Sequence, residues 1–177
     1  FERAQRAAFT DPATGFANMR AFATHFEREQ ARCRRRRASM SLVMVTADNL
    51  TSVVRKGGAG EDEFMSLLGS LIKQRLRESD LIARQSTSSF VLLLSENGPN
   101  QALEVLARLH EEIAQHLLLA DLSVVVGAAS SPDDGDGLDG LIKAAHQRSL
   151  PVRDRLADLS PSPSVNDLTP APTSTLM

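Results

Sequence analysis

An α/β (α+β) domain, a sheet with helices on both faces, is what this sequence predicts, and three observations predict it. Helical and strand-like segments alternate along the chain in the order α-β-α-α-β-β-α-β-α. Two apolar runs, Leu81 to Arg84 and Phe90 to Ser95, flank the short polar stretch QSTSS, a separation that favours a β-hairpin. Hydrophobic residues make up 42% of the 177, enough for a single buried core with some tail to spare.

Eight of these nine elements have their own warrant. Residues 18–36 carry Met19, Phe22, Phe26 and Ala31 at helical spacing among many Arg and Glu residues, the pattern of an amphipathic helix. Ser41 to Ala47 (SLVMVTA) is a short, β-branched apolar run of strand length. After the loop KGGAG, residues 62–77 place Phe64, Leu67, Leu68, Leu71, Ile72 and Leu76 at i, i+3, i+4, i+7 positions, a second strong helix. The hairpin, with its sheet position expected to be central, comes next. Gln101 to Leu118 reads as a helix, Leu122 to Ala129 (LSVVVGAA) as a buried strand, Asp133 to Gly140 as a loop, and Leu141 to Arg148 as a last short helix. Residues 1–157 are expected to form the domain, with 1–10 the end of a helix from an upstream region. Residues 158–177, rich in Ser, Pro and Thr, are expected to be disordered, because such a composition buries too little apolar surface to offset ordering entropy. Phe1 at the start, in place of Met, reads as the cut end of a longer protein.

Composition narrows the function. Trp and Tyr are absent, so the core must come from aliphatic residues and seven Phe, with Phe9, Phe16 and Phe22 expected inside. A net charge of −2 gives no strong attraction to nucleic acid or anionic membrane. The basic run from Arg32 to Arg37 has no interleaved aromatics for base stacking and reads as a solvated helix end. Cys33 alone excludes an internal disulfide and a cysteine-based zinc site, in keeping with a cytoplasmic location. His25, His110, His116 and His146 show no metal-ligand spacing. No apolar run is long enough to span a bilayer, so no membrane contact is expected from this segment.

Three motifs, in order, carry a resemblance. Asp11-Pro12-Ala13-Thr14-Gly15-Phe16-Ala17-Asn18-Met19-Arg20-Ala21-Phe22 resembles the DxLTGLxNRRxF signature of GGDEF domains, keeping Asp11, Thr14, Gly15, Asn18, Arg20 and Phe22. LVMVTADNL resembles the strand and turn LLxxDIDxFK, and RLRESDLIARQSTSSFVLLL resembles RLRxxDLxARYGGDEFxxLL. The resemblance runs from about Ala4 to Arg155. It implies a nucleotidyl-cyclase-like, mostly antiparallel central sheet flanked by helices. It further implies an ancestry of joining two GTP molecules into cyclic di-GMP on a pair of divalent ions.

The residues that would carry that chemistry differ. Against the family pattern, the first Asp of DID is Thr46, the fourth position of GGDEF is Ser89, and Ser88 replaces the other acidic residue. Two hydroxyls cannot supply the charge that holds two divalent ions. Ser86 and Thr87 stand where the family has glycines, and a β-branched Thr disfavours positive φ, so a changed hairpin tip is expected. The guanine-reading Asn position is Val54. Asp62 matches the other guanine-reading carboxylate, although a helix N-terminal charge is the preferred reading, and Asp48 is better read as a turn or N-cap residue. ADxALYxAK appears as AHQRSLPVR, keeping Ala145 and the basic Arg153, with Pro151 expected to stop the helix. No catalytic residue, metal ion or cofactor is expected.

Arg77-Glu78-Ser79-Asp80 matches the family's RxxD inhibitory motif at its usual five-residue offset from the hairpin signature. A guanidinium donates two parallel hydrogen bonds to guanine O6 and N7, or pairs with phosphate, and a carboxylate accepts from the N1 and N2 edge. Arg77 and Asp80, placed at a helix end, and Arg108 on the helix after the hairpin are the expected cyclic di-GMP contacts. The bland reading of Arg77 and Asp80 is a weak ion pair at a solvated helix end, worth about 0.5 kcal/mol or less. The expected function is an inactive, ligand-binding regulatory domain, with a homodimer or partner protein as possible readers. The alternative is a nucleotide-independent interaction or dimerisation scaffold.

Overall fold

The structure, a computed structural model, describes residues 8–151 apart from 97–98, 117–118 and 120. Its elements in chain order are α1 (Met19–Arg36), β1 (Met40–Ala47), α2 (Leu50–Gly57), α3 (Glu61–Arg75), β2 (Leu81–Ser86), β3 (Ser89–Leu94), α4 (Pro99–Gln115), β4 (Val124–Ser131), α5 (Leu138–Gln147) and β5 (Leu150–Pro151). The five strands form one sheet in the order β2-β3-β1-β4-β5. All four strand pairs are antiparallel.

β1 takes the centre because its residues are apolar on both faces and nearly all buried. Successive side chains alternate across the sheet. Val43, Val45 and Ala47 pack with β3 residues Phe90, Leu92 and Leu94 under α2, α3 and α4. Met40, Leu42 and Met44 pack with Val91 and Leu93 under α1 and α5. The hairpin, expected from sequence to be central, instead forms one edge of the sheet. β3 is buried throughout, whereas β2 ends in exposed Gln85 and Ser86 and therefore takes the outer place. The other edge is β5, whose Leu150 and Pro151 pair with Val126 and Val125. A proline without an N–H is tolerated there because an edge strand has one unpaired side.

Several boundaries move. The KGGAG loop is partly helical, since α2 continues to Gly57 and only then turns through Gly58 at φ 71°. α5 starts three residues earlier than expected, at Leu138, and ends at Gln147, ahead of Pro151. Phe9 is exposed rather than in the core, with the Arg20 guanidinium 5.5 Å above its ring. Phe22 is fully buried, and Phe16 packs edge-on against Phe90. The basic end of α1 behaves as expected: Arg32 and Arg36 pair with Glu96, Arg34 pairs with Asp136, and Arg37 caps the helix in the left-handed region. Residues 1–7, Arg153 and the expected tail at 158–177 lie outside the described residues. Among the described residues, no helix is long and apolar enough to cross a membrane.

Candidate ligand-binding site

α3 is amphipathic up to Arg75, and Leu76 then leaves the helical region at φ −84°, ψ 149°. Arg77 to Asp80 therefore form a turn past the helix rather than its last residues, which corrects the expected helical i, i+3 arrangement. The turn is closed twice. Asp80 N–H donates to the Arg77 carbonyl at 3.1 Å, and Arg77 N–H donates to Asp80 Oδ2 at 2.9 Å. Asp80 Oδ1 accepts from Ser95 N–H at 3.2 Å, and Ser95 Oγ donates to the Ser79 carbonyl at 3.2 Å. A short polar side chain that bonds backbone two or three residues away is what makes Asp a turn residue. Here it also ties the start of β2 to the end of β3.

This arrangement separates the two residues of the motif. Asp80 is 5% exposed, with both oxygens engaged. Arg77 is exposed, and its guanidinium has no ion pair among the described residues. The two side chains are not paired with each other, so the local ion pair weighed from the sequence does not form. Arg108 is likewise exposed on α4, without an ion pair among the described residues. Its distance to the turn follows from a neighbour: Arg75, two residues before Arg77, pairs with Glu112 of α4. Glu112 lies one helical turn beyond Arg108, about 5.4 Å along the axis. Arg77 and Arg108 thus belong to one region where α3 ends against α4. Ser95 and the Arg75–Glu112 pair escaped the sequence reading. No local spacing marked either, because Arg75 and Glu112 lie on different helices and Ser95 acts across a sheet register.

A second constellation lies at the opposite end of the hairpin. Thr46 of β1 and Ser89 of β3 stand directly opposite in register. Around them are Gln85, Ser86 and Ser88, with Asp139, Lys143 and His146 of α5 across a cleft. The donors on the sheet side are hydroxyls and an amide, and they do not fit a pair of divalent ions, which take chiefly carboxylate oxygens. Among the described residues, no three His, Cys, Asp or Glu side chains are grouped to hold a metal ion. The tip residues Thr87 and Ser88 avoid positive φ, and a register irregularity between Arg84 and Ser86 absorbs the turn.

Arg84 organises this end. It is 8% exposed, donates to the Ser86 and Thr87 carbonyls at 2.5 Å, and reaches Asp62 Oδ1 at 3.5 Å. Its Nη1 lies 4.0 Å from Asp11 Oδ2. Asp11 in turn accepts from the Thr14 N–H and hydroxyl, so the signature's Asp and Thr form a closed turn on which Gly15 takes φ 75°. Asp62 is in the first turn of α3, where its charge complements the helix dipole, as preferred from sequence. Asp48 is a turn residue, while the α2 N-cap is Asn49.

Comparison with known proteins follows the same lines. The family described as diguanylate cyclase, GGDEF domain, matches residues 8–154. The chain is 28% identical over 139 residues to the diguanylate cyclase DgcP of Pseudomonas aeruginosa, covering 76% of this chain and 21% of that protein. It is 25% identical over 140 residues to the cyclic di-GMP phosphodiesterase NbdA of the same organism, covering 76% and 18%. The chain spans about a fifth of the length of these curated relatives. The coiled coil and GGDEF domain of DgcB from Caulobacter crescentus, in complex with c-di-GMP, superposes with a TM-score of 0.73 at 19% identity, covering 82% of this chain and 81% of that one. That likeness speaks to the fold, a five-stranded antiparallel sheet flanked by helices. With a match across nearly all of its described residues, this chain belongs to the GGDEF diguanylate cyclase family.

Proposed function

We propose that this GGDEF domain is a cyclic di-GMP receptor without synthase activity, which binds its ligand at the Arg77 turn and reports the event to an attached domain or partner. The observation that carries this reading is an exposed Arg77 guanidinium on a turn that buried Asp80 holds closed from both sides. Pre-ordering of the turn lowers the entropy lost when a ligand binds. Arg77 supplies bidentate donors for guanine or phosphate. Arg108 supplies the second cation from α4. Asp80, buried with both oxygens bonded to backbone N–H groups, contributes by holding the turn that presents Arg77. The DgcB domain of the same fold binds c-di-GMP, which supports this ligand class. Loss of synthase chemistry rests on Thr46 and Ser89, whose hydroxyls leave metal ions and triphosphate without the charge compensation that the reaction requires. A cytoplasmic setting fits both the ligand and the single cysteine.

Isothermal calorimetry with cyclic di-GMP tests the reading. Wild type should bind in the micromolar range or tighter, Arg77→Ala should lose about 10- to 100-fold, the equivalent of one bidentate guanine contact, and Arg108→Ala should lose less. Equal heats for wild type and Arg77→Ala would remove the receptor. GTP with magnesium or manganese should yield no cyclic or linear dinucleotide, and any such product overturns the inactive half of the proposal.

One observation favours a second reading, a nucleotide-independent interaction or dimerisation scaffold. Asp80 is buried and already bonded to two backbone N–H groups, which a purely structural role explains in full. Unchanged partner binding by Arg77→Ala protein, indifferent to cyclic di-GMP, would favour it.

A further inference from the structure

A cavity of about 400 Å³ lies between the C-terminal end of α1 and the loop that joins β4 to α5, within the roughly 300–1,000 Å³ of small-molecule sites. Three bonds to Asp136 fasten its two walls together. Gln30 of α1 donates to the Asp136 carbonyl, Arg34 of α1 pairs with Asp136 Oδ2 at 3.3 Å, and Ser131 Oγ donates to Asp136 Oδ1 at 3.2 Å. Much of the lining is apolar. Cys33 is 4% exposed and, as a buried thiol, behaves as a small hydrophobe, and Ala38 and Pro132 stand beside it.

Its ligand chemistry follows from counting charges. Four charged residues line the cavity, and two of them, Arg34 and Asp136, neutralise each other. The other two, Arg37 and Asp133, are exposed, and neither side chain has a hydrogen bond or ion pair among the described residues. A lone anion would be drawn to Arg37 and repelled by Asp133, and a lone cation the reverse. A ligand with one charge of each sign satisfies both. Arg37 also holds a position that favours glycine, since it caps α1 in the left-handed region at φ 53°, ψ 37°. Residues other than glycine kept in that conformation cluster at ligand clamps.

We infer that this cavity binds a small zwitterion with an apolar side chain, in the class of a free apolar α-amino acid. The ligand carboxylate accepts from the planar donor fork of Arg37. Its ammonium donates to Asp133, and its side chain lies on Cys33, Ala38 and Pro132. The inference is independent of the Arg77 turn, which belongs to other elements.

The test is a titration of the full chain with L-leucine, isovalerate and isoamylamine, followed by backbone amide NMR signals. The last two keep the apolar group with only the carboxylate or only the ammonium. Leucine should give saturable shifts at Cys33, Arg37, Ala38 and Asp133, and each singly charged compound should bind about tenfold more weakly or worse, a difference of about 1.4 kcal/mol. Arg37→Gly removes the guanidinium while suiting the left-handed cap, so the spectrum elsewhere should stay that of wild type. It should weaken leucine about tenfold or more and leave isoamylamine binding no weaker. Asp133→Asn should weaken leucine similarly and leave isovalerate binding no weaker. Absent shifts, equal affinity for leucine and either singly charged compound, wild-type affinity for leucine in either variant, or shifts centred on Arg77 to Asp80 would each overturn the inference.

Discussion

Asp80 is a carboxylate with almost no contact with water, and its two oxygens are each held by a backbone N–H from a different segment. Removing a buried acceptor leaves those donors unsatisfied, which costs about 1–3 kcal/mol for Asp80→Ala. Urea unfolding should show that loss as a lower midpoint with an unchanged slope. Asp80→Asn keeps an amide oxygen able to accept one of the two bonds, so its cost should be smaller. A stability loss in the Asn variant as large as in the Ala variant would mean that the charge, not the bonds, matters there. The motif that contains Asp80 was legible in the sequence through its spacing from the hairpin. The Ser95 bond was not, because it spans fifteen residues and exists only once β2 and β3 are paired.

Among the elements, the tightest seam is between β4 and α5. A Cβ at Gly127 would lie 1.8 Å from the Ala145 carbonyl oxygen, far inside contact distance, and the obstacle is backbone rather than a movable side chain. Gly127→Ala must push α5 off the sheet, at the upper end of the about 1–3 kcal/mol that overpacking costs. Thermal unfolding should show the loss as a lower midpoint for Gly127→Ala, and a midpoint equal to wild type would mean that α5 shifts at no cost. In the sequence, Gly127 sits within VVVGAA and reads only as a strand residue. The reason for glycine appears when a helix crosses above it. The hairpin shows the complementary case: LIAR and FVLLL announced two strands, yet which of them faced solvent depended on β3 finding β1.

At the scale of the whole molecule, the link between the β4–α5 loop and the end of α5 makes one contribution to acid sensitivity. Asp134 accepts from Arg148 Nη2 at 2.6 Å and from Ser130 N–H at 2.8 Å. The Arg148 hydrogen bond first, and the Ser130 bond second, hold its carboxyl below the usual 3.8. A carboxyl whose pKa is depressed by folding contributes stability that is complete above the unfolded value and is lost as pH falls through the folded one. Unfolding free energies of wild type and Asp134→Asn should therefore differ at neutral pH and converge below about pH 3.8. The difference should be small and reduced by salt, because Arg148 is half exposed. A gap that persists unchanged into strong acid would show that the hydrogen bonds act without the charge.

By itself the sequence determined the family and the order of the elements up to α5, and it offered Thr46 and Ser89 as the reason for proposing inactivity and Arg77, Asp80 and Arg108 as candidates. All of these depend on residue identity or on local spacing, which periodicity and motif offsets report directly. The tertiary structure alone decided that Asp80 is buried while Arg77 is exposed, that the hairpin is an edge, and that Asp134 meets Arg148. Those outcomes depend on which groups meet from segments apart in the chain, and a hydrogen bond exists only between groups that have met.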